Sequence, residues 1–272
     1  MTSPLITFIG GGNMASAIVG GLLRQGHPAH ALQIVEPWDE QRARLATQFP
    51  GVAVLAAASS ELQPADLVVW AVKPQTFKDA ALAAGPHLAG ALHLSVAAGI
   101  TSDSMAAWLG TQRIVRAMPN TPALVGLGMT GLYARDGASA TDRALVEAVV
   151  KTTGELVWVA TERDLDAVTA LSGSGPAYVF YFLEAMRDAG TRMGLPPDTA
   201  LQLAIGTFVG ASTLAQRASE PPQVLRERVT SKGGTTYAAL TAMDAAGMKA
   251  SFEAALQAAQ ARAEELGREF GK

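Results

Sequence analysis

The sequence contains no cysteine among its 272 residues and only four histidines, all within the first 93 residues. Without cysteine, the chain has no disulfide, thiolate metal site or thiol nucleophile, and we predict no metal site. His27, His30, His87 and His93 each stand singly near an expected turn or strand edge, so we interpret all four as ordinary surface residues. Any chemistry in the second half of the chain must therefore proceed without imidazole or thiol.

The sequence also lacks a charge bias and a long apolar run. Its net charge is −3 and charged residues make up 17% of it, so it offers no basic surface for nucleic acid. No stretch reaches the length of a membrane span, and the first residues lack the basic segment of a signal peptide. We therefore expect no membrane or nucleic-acid partner and a cytoplasmic location. The 49% of hydrophobic residues suffices for the cores of two domains.

Apolar strands alternate with helical patterns through residues 1–161. Strands are predicted over residues 5–9, 32–35, 52–55, 67–72, 92–97 and 114–117, and helices over 14–24, 39–48, 102–109 and 141–151. This alternation predicts an α/β domain, a Rossmann-type doubly wound parallel sheet. Segments 129–134 and 156–159 can extend the edge of that sheet.

From residue 162 the strand patterns give way to Ala-rich helical windows, at 164–171, 176–193, 197–217, 221–229, 235–246 and 249–269. We predict an all-α domain over residues 162–272, following a dinucleotide-binding domain over residues 1–161. Residues 176–182 are rich in large apolar side chains. This composition favours burial of the segment against a second subunit in a homodimer. The alternative is a helical domain that packs only on its own sheet domain.

A dinucleotide-binding fingerprint, Gly10-x-Gly12-x-x-Ala15, follows the first strand and leads into a helix. Gly10 permits the tight turn, Gly12 lets backbone N–H groups approach a pyrophosphate, and Ala15 allows close packing of helix on strand. The phosphates would lie at the helix N-terminus, where unpaired N–H groups and the helix dipole favour negative charge.

Three later strands end in loops suited to the same ligand, because ligands of open α/β sheets bind outside the carboxyl ends of the strands. The loops are residues 71–74 (AVKP), 95–99 (SVAAG) and 118–122 (MPNTP). Lys73 is placed near ribose or phosphate, and the small residues of the second loop leave room for a flat ring. Together the three loops predict a wall beside the nicotinamide.

Two loops in the helical half also carry candidate chemistry. Residues 171–178 (LSGSGPAY) join two helices, with Ser174 at or near an N-cap. Residues 230–236 (TSKGGTT) precede another helix, and their consecutive N–H groups and hydroxyls form an anion nest suited to a carboxylate. The first loop can also be a plain helix connector, and the second a plain capping turn.

With these motifs in order, the chain resembles the pyrroline-5-carboxylate reductases, the last enzymes of proline biosynthesis. The matching segments, nearly end to end, are FIGGGNMASAI, AVKPQ, SVAAG, RAMPNTPALVGLGMT, LSGSGPAYVF and TSKGGTT. The resemblance implies an N-terminal Rossmann domain, a helical domain that interlocks with a partner subunit, and an active site at the dimer interface. It also implies further assembly, in some members, into a ring of dimers.

The resemblance assigns site residues. The cofactor site maps to Gly10, Gly11, Gly12, Asn13, Met14, Ala71, Val72, Lys73, Pro74, Ala97 and Asn120. The substrate site maps to Ser231, Gly233, Gly234, Thr235 and Thr236, whose backbone is expected to hold the substrate carboxylate, with Ser174 nearby. Thr236 and Ser174 are the catalytic candidates, and Thr236 is expected to bond the ring nitrogen. A cyclic imine that arrives protonated needs placement more than a strong acid, which suits a site without histidine.

Two positions depart from the family's pattern. NADPH users of the family carry small polar or basic residues after the second strand, whereas this chain has Glu36, 24 positions beyond Gly12. An acid there binds the ribose 2′-OH of NAD and repels a 2′-phosphate, so the cofactor is NADPH or NADH, with a lean towards NADH tolerance. The alternative is that Glu36 points into solvent. Lys232 replaces a common proline and either aids carboxylate binding or stays solvated.

Two other functions remain open at this point. A β-hydroxyacid-dehydrogenase-like oxidoreductase shares the Rossmann-plus-helices layout, but the helix that starts near Pro176 offers no catalytic lysine. A non-catalytic, dimeric NAD(P)-binding sensor would explain the fingerprint and the apolar second half. The sensor hypothesis would not explain the anion nest of residues 230–236.

Overall fold

A computed structural model describes residues 3–271. The strands are β1 (Ile6–Ile9), β2 (Leu32–Val35), β3 (Ala53–Leu55), β4 (Leu67–Trp70), β5 (Leu92–Ser95), β6 (Ile114–Met118), β7 (Gly128–Ala134) and β8 (Gly154–Trp158). The helices of the first part are α1 (Asn13–Arg24), α2 (Asp39–Gln48), α3 (Pro74–Ala84), α4 (Ser102–Leu109) and α5 (Ala140–Val150). Those of the second part are α6 (Asp164–Val168), α7 (Gly175–Arg192), α8 (Pro197–Arg217), α9 (Pro222–Arg228), α10 (Thr235–Ala245) and α11 (Met248–Phe270).

The eight strands form one sheet in the order β3-β2-β1-β4-β5-β6-β7-β8. The first six run parallel, with β1 in register between β2 and β4 so that Ile9 pairs with Val35 and Trp70. The strand order reverses at β1, because β2 and β3 lie on one side of it and β4 to β8 on the other. In open α/β sheets this switch point is where the ligand crevice forms.

The two edge segments, for which no direction was predicted, extend the sheet as β7 and β8. β7 runs antiparallel to β6, and β8 then runs parallel to β7. The physical reason is the short connection from Met118 to Gly128, which contains a 3-10 turn over Thr121–Val125. A parallel crossover needs a dozen or more residues, so this chain turns back beside β6 instead.

Alternate strand residues bury two opposite faces of the sheet, as in a doubly wound fold. One core contains Phe8, Ile34 and Leu94 and is covered by α1, α2 and α5. The other contains Trp70 and Val68 and is covered by α3 and α4. Both faces of the sheet are therefore shielded from solvent, which explains the continuous apolar run of β4.

His93 contradicts the interpretation of all four histidines as surface residues. It lies in the middle of β5 with 3% of its surface exposed, and its Nδ1 accepts a hydrogen bond from Trp70 Nε1 at 3.0 Å. Burial, with a smaller contribution from the positive charge of Arg113, lowers the pKa of His93 to about 4. The ring is therefore a neutral core residue.

The chain forms two compact units, one of residues 1–174 and 259–272 and the other of residues 175–258. The second unit is entirely helical, and an aromatic cluster joins its helices. Phe182 of α7 packs against Phe208 of α8 and Phe252 of α11, with ring centroids 6.5 Å and 5.8 Å apart. Helix α11 belongs to both units, because the division falls within it.

Large apolar side chains remain exposed on the helical unit. Those more than half exposed are Phe180, Tyr181, Met193, Leu203, Val209, Leu214 and Val229. Exposed large apolar side chains in this number, on one helical unit, are typical of a protein interaction site. Across residues 3–271 no helix combines the length and the hydropathy needed to cross a bilayer.

Candidate active site

The turn after β1 is shaped by Gly10, which lies between the ends of two neighbouring strands. Its φ of +93° is a left-handed conformation that side chains rarely adopt. A Cβ at this position would lie 2.7 Å from the carbonyl oxygen of Ala71, after β4. The Gly10 N–H donates to Val35 O at 2.8 Å, which ties the turn to β2. Only glycine fits here.

Gly12 forms an open cradle at the N-terminus of α1. It is the N-cap residue and is exposed, as is Asn13, and Met14 is half-buried. No atom lies within 4 Å of the position that a Gly12 Cβ would take, so the glycine is not required by packing within the protein. The free space and the unpaired N–H groups of the first helical turn suit an anionic group, and the residues present fit a dinucleotide pyrophosphate.

Glu36 does not point into solvent. Its side chain is folded back onto the glycine turn, where Oε2 accepts from Gly11 N at 2.9 Å and Oε1 accepts from Trp38 N at 3.1 Å. The residue is 9% exposed. The carboxylate therefore stands at the carboxyl end of β2, directly beside the fingerprint, where a ribose hydroxyl would meet it.

Two residues outside the sequence motifs, Gln41 and Arg42, hold this corner together. Gln41 Nε2 donates to Gly11 O at 2.8 Å. The Arg42 guanidinium donates to the carbonyl oxygens of Glu36 and Pro37, at 3.0 Å and 2.7 Å, and pairs with Asp39. Both lie in the first turns of α2, where no sequence signal separates them from ordinary surface residues. Their contacts make the corner rigid.

The loops after β4 and β5 lie at the same edge of the sheet. Ala71 and Val72 are half-buried, and Lys73 is the exposed N-cap of α3, followed by Pro74 at its first position. Ala97 is buried, and its N–H donates to Ser95 Oγ at 3.2 Å. The structure thus brings the fingerprint, Glu36 and the 71–74 loop together around the ends of β1, β2 and β4.

Asn120 is engaged within the protein. Its Nδ2 donates to Ser172 O at 3.0 Å, and its Oδ1 accepts from Met129 N at 2.9 Å. The side chain therefore ties the loop after β6 to the 171–174 segment.

Ser174 is not an N-cap, contrary to expectation. Residues Thr169–Gly173 form a π-helical turn that follows α6, and Ser174 has helical φ and ψ of −84° and −14° before α7 begins. An N-cap needs extended backbone. The LSGSG segment is thus a helix with one widened turn, a feature that often lies at functional sites.

The 230–236 loop has the shape of an anion nest within the helical unit. Gly233 is left-handed at φ +76°, and Gly234 is the extended N-cap of α10. The Gly234 N–H already donates to Ser231 O at 3.0 Å, and the first helical hydrogen bond runs from Ala238 N to Gly234 O. The N–H groups of the first turn, which starts at Thr235, are those that helix geometry leaves for a ligand.

Side chains around this loop are accessible. Ser231, Lys232 and Thr235 are exposed, and Thr236 is half-buried. A cavity of about 460 Å³ adjoins the loop, lined by Arg226, Glu227, Thr230, Lys232, Tyr237, Leu240, Thr241 and Asp244. Its polar rim would admit a small charged molecule.

Comparisons with known proteins decide the family. The pattern for pyrroline-5-carboxylate reductase dimerisation matches residues 162–266, and that for NADP oxidoreductase, coenzyme F420-dependent, matches residues 5–99. The chain is 43% identical to the pyrroline-5-carboxylate reductase of Pseudomonas aeruginosa, and the match covers all of both chains. The chain belongs to the pyrroline-5-carboxylate reductase family.

Solved structures agree with this assignment. A pyrroline-5-carboxylate reductase from Coxiella burnetii superposes with a TM-score of 0.91 at 36% identity, covering 97% of this chain and 98% of that one. The Plasmodium falciparum reductase, crystallised with NADP bound, gives 0.86 at 27% identity over 98% and 99%. The resemblance predicted from the motifs is confirmed, as is the Rossmann-plus-helices fold.

Membership in this reductase family removes the two rival functions. The reductase helix α7 contains no lysine, as expected if the chain is no β-hydroxyacid dehydrogenase. The sensor hypothesis fails because the relatives that match over their full length are enzymes.

Proposed function

We infer that this chain reduces 1-pyrroline-5-carboxylate to L-proline with a nicotinamide dinucleotide, the last step of proline biosynthesis. The observation that carries this inference is the full-length match to reductases of the family, at 43% and 42% identity. The open cradle at Gly12 and the nest before α10 are the two loops that such a reaction requires, one for the cofactor phosphates and one for the substrate carboxylate.

We propose that the cofactor is held by the residues assigned from the motifs. Backbone N–H groups of Gly12, Asn13 and Met14 face the pyrophosphate, while the Gly11 N–H holds Glu36 in place. Ala71–Pro74 lie beside the ribose and Ala97 beside the nicotinamide. Asn120 serves this site through the loops it joins. When bound, the reduced nicotinamide supplies a hydride to an electrophilic carbon.

The substrate's own chemistry explains how a site without histidine works. A protonated cyclic imine is already electrophilic, so the protein has to place its ring carbon and hold its carboxylate. We assign the carboxylate to the nest of Ser231, Gly233, Gly234 and Thr235, and the ring nitrogen to the Thr236 hydroxyl. That hydroxyl orients the nitrogen and relays a proton, and Ser174 is the second candidate for this role.

We propose that NADH serves this enzyme at least as well as NADPH. A 2′-phosphate would meet the Glu36 carboxylate, with Asp39 and Glu40 in the next helical turn. Arg42, in α2, already donates to Glu36 O and Pro37 O and pairs with Asp39. Arg44 of the same helix pairs with Glu40, so neither of these two guanidinium groups is left to neutralise the extra charge.

We also propose a homodimer built on the apolar surface of α7, α8 and neighbouring helices. Phe180, Tyr181 and Val209 expose more than half of their surface, which is costly unless a partner covers them. The domain boundary expected between residues 161 and 162 stays a prediction. Assembly into a ring of dimers stays a prediction as well. Sedimentation across a concentration series measures the assembly.

The function is tested by adding 1-pyrroline-5-carboxylate to the purified protein with NADH or NADPH and following loss of the reduced nicotinamide absorbance. Proline formation with saturable kinetics supports the assignment, and absence of turnover with both cofactors contradicts it. The ratio of kcat/KM for the two cofactors tests the NADH proposal separately. A strong preference for NADPH would overturn it.

A further inference from the structure

We propose that Trp38 is the platform on which the adenine ring of the dinucleotide stacks. This inference rests on the proposed function, because it needs a dinucleotide at the β1–β2 corner. It assigns a ligand contact to a residue that no motif singled out.

Trp38 differs from the other three tryptophans in its exposure. Its surface is 72% accessible, whereas Trp70 is fully buried. Trp158 donates from Nε1 to Glu147 and lies under the Arg143 guanidinium, and Trp108 packs against Phe77. No ring or cation in residues 3–271 is stacked on Trp38. Its indole is therefore available to a ligand.

The backbone of Trp38 is fixed to the glycine turn by a single carboxylate. Glu36 accepts from Gly11 N with one oxygen and from Trp38 N with the other, at 2.9 Å and 3.1 Å. The Arg42 guanidinium clamps the two carbonyl groups that precede Trp38. Position 38 is thus held rigidly beside the fingerprint while its side chain stays free. Such preorganisation reduces the entropy lost on binding.

The place of Trp38 fits the adenine end of the ligand. Glu36 stands where an acid meets the adenosine ribose in dinucleotide-binding folds. The base is attached to that same ribose, so it lies one sugar away from Glu36, and Trp38 follows Glu36 by two residues as the N-cap of α2. Every base presents a flat π-face, and an indole matches it in size and shape.

The surroundings of Trp38 argue against a protein partner as its main occupant. The neighbouring side chains of Asp39 and Glu40 are 92% and 82% exposed, and both are charged. Cores of protein interfaces are depleted in such charges. An isolated indole beside a ribose site is better explained by a small planar ligand.

Calorimetry with ADP-ribose, NADH and reduced nicotinamide mononucleotide tests the proposal on Trp38→Ala, Trp38→Phe and the wild type. The expected result for Trp38→Ala is about tenfold weaker binding of ADP-ribose and NADH, within the range of base–aromatic stacking. Trp38→Phe should recover most of the loss. In steady-state assays of Trp38→Ala, the KM for the mononucleotide, which lacks adenine, should stay at its wild-type value. The kcat at saturating NADH should also be unchanged. Leu82→Ala, at another exposed apolar residue, is the matched control and should bind all ligands normally.

Equal affinity of Trp38→Ala and wild type for ADP-ribose would overturn the proposal. It would also be overturned if Trp38→Ala altered the sedimentation of the protein but not its ligand binding. A wild-type protein that binds neither NADH nor ADP-ribose would instead refute the proposed function, and the adenine site with it. Because the wild type is measured first, the two failures are distinguishable.

Discussion

Replacement of Gly12 by alanine should separate cofactor binding from folding. The Gly12 backbone has φ −74° and ψ −168°, an extended conformation that alanine adopts without strain. A Cβ at this position meets no protein atom within 4 Å. The only object for the new methyl group to displace is a ligand.

The expected magnitudes follow from these contacts. Alanine is a poorer N-cap than glycine by a few tenths of a kcal/mol or more, but it lowers the entropy of the unfolded chain by a comparable amount. The free energy of unfolding should therefore change by less than about 1 kcal/mol. Loss of one N–H contact to a charged phosphate is worth about 1.5–3 kcal/mol, so the Kd for NADH should rise about 10- to 100-fold.

The assay pairs calorimetric titration with NADH and urea unfolding of the same protein. Gly10→Ala is the contrasting variant, because its φ of +93° and its 2.7 Å approach to Ala71 O should destabilise the fold itself. If Gly12→Ala binds NADH as tightly as the wild type, the phosphates do not approach this turn, and our placement of the cofactor is refuted.

Three further predictions concern pH and turnover. The pKa of His93 is about 4 in the folded protein and 6.5 normally, so the unfolded chain takes up the proton first, and stability should fall from about pH 6.5 to about pH 4 by up to about 1.4 kcal/mol per pH unit. Urea unfolding of His93→Gln should show a smaller slope in that window, and an unchanged slope would contradict the assignment. Burial alone would raise the pKa of Asp142, but hydrogen bonds from Arg113 and Ser139 hold it below its usual value. Asp142→Asn should therefore lower the free energy of unfolding by about 1 kcal/mol at neutral pH, after allowance for the half-exposed Arg113. This difference between variant and wild type should disappear as the pH falls below about 4. Thr236→Ala should lower kcat about tenfold without abolishing turnover, while Thr207→Ala, on the exposed face of α8, keeps wild-type kinetics; equal rates for both would remove Thr236 from the mechanism.

Local signals sufficed to predict most of the helices and strands. Prolines at the first positions of α3 and α8 and the apolar run of β4 mark those elements in the sequence. The antiparallel direction of β7 could not be predicted from its own residues, because it depends on the length of a connection and on which neighbour is free. The Gly-Ser-Gly signal at Ser174 suggested a break in the helix, whereas a widened π-turn keeps the backbone helical.

Residues of the site were harder to predict where their partners are distant in sequence. Glu36 was recognised by its offset from Gly12, but its two-oxygen contact with Gly11 and Trp38 depends on the pairing of β1 with β2. His93 is buried because Trp70, on the neighbouring strand, offers a donor to its ring. No pattern within a single segment contains such a pair, so neither contact was foreseeable from periodicity.

The course of α11 has a consequence for the order of folding. Its last residues complete the first unit: Leu266 lies against Gly99, where a Cβ would come within 3.2 Å, and Ser104 Oγ donates to Gly271 O at 2.6 Å. The nucleotide-binding half is therefore discontinuous along the chain. On the ribosome it cannot be finished until residues 259–271 emerge, after the helical unit has been synthesised. A fragment that stops at residue 174 should accordingly expose apolar surface around α4 and fold poorly alone.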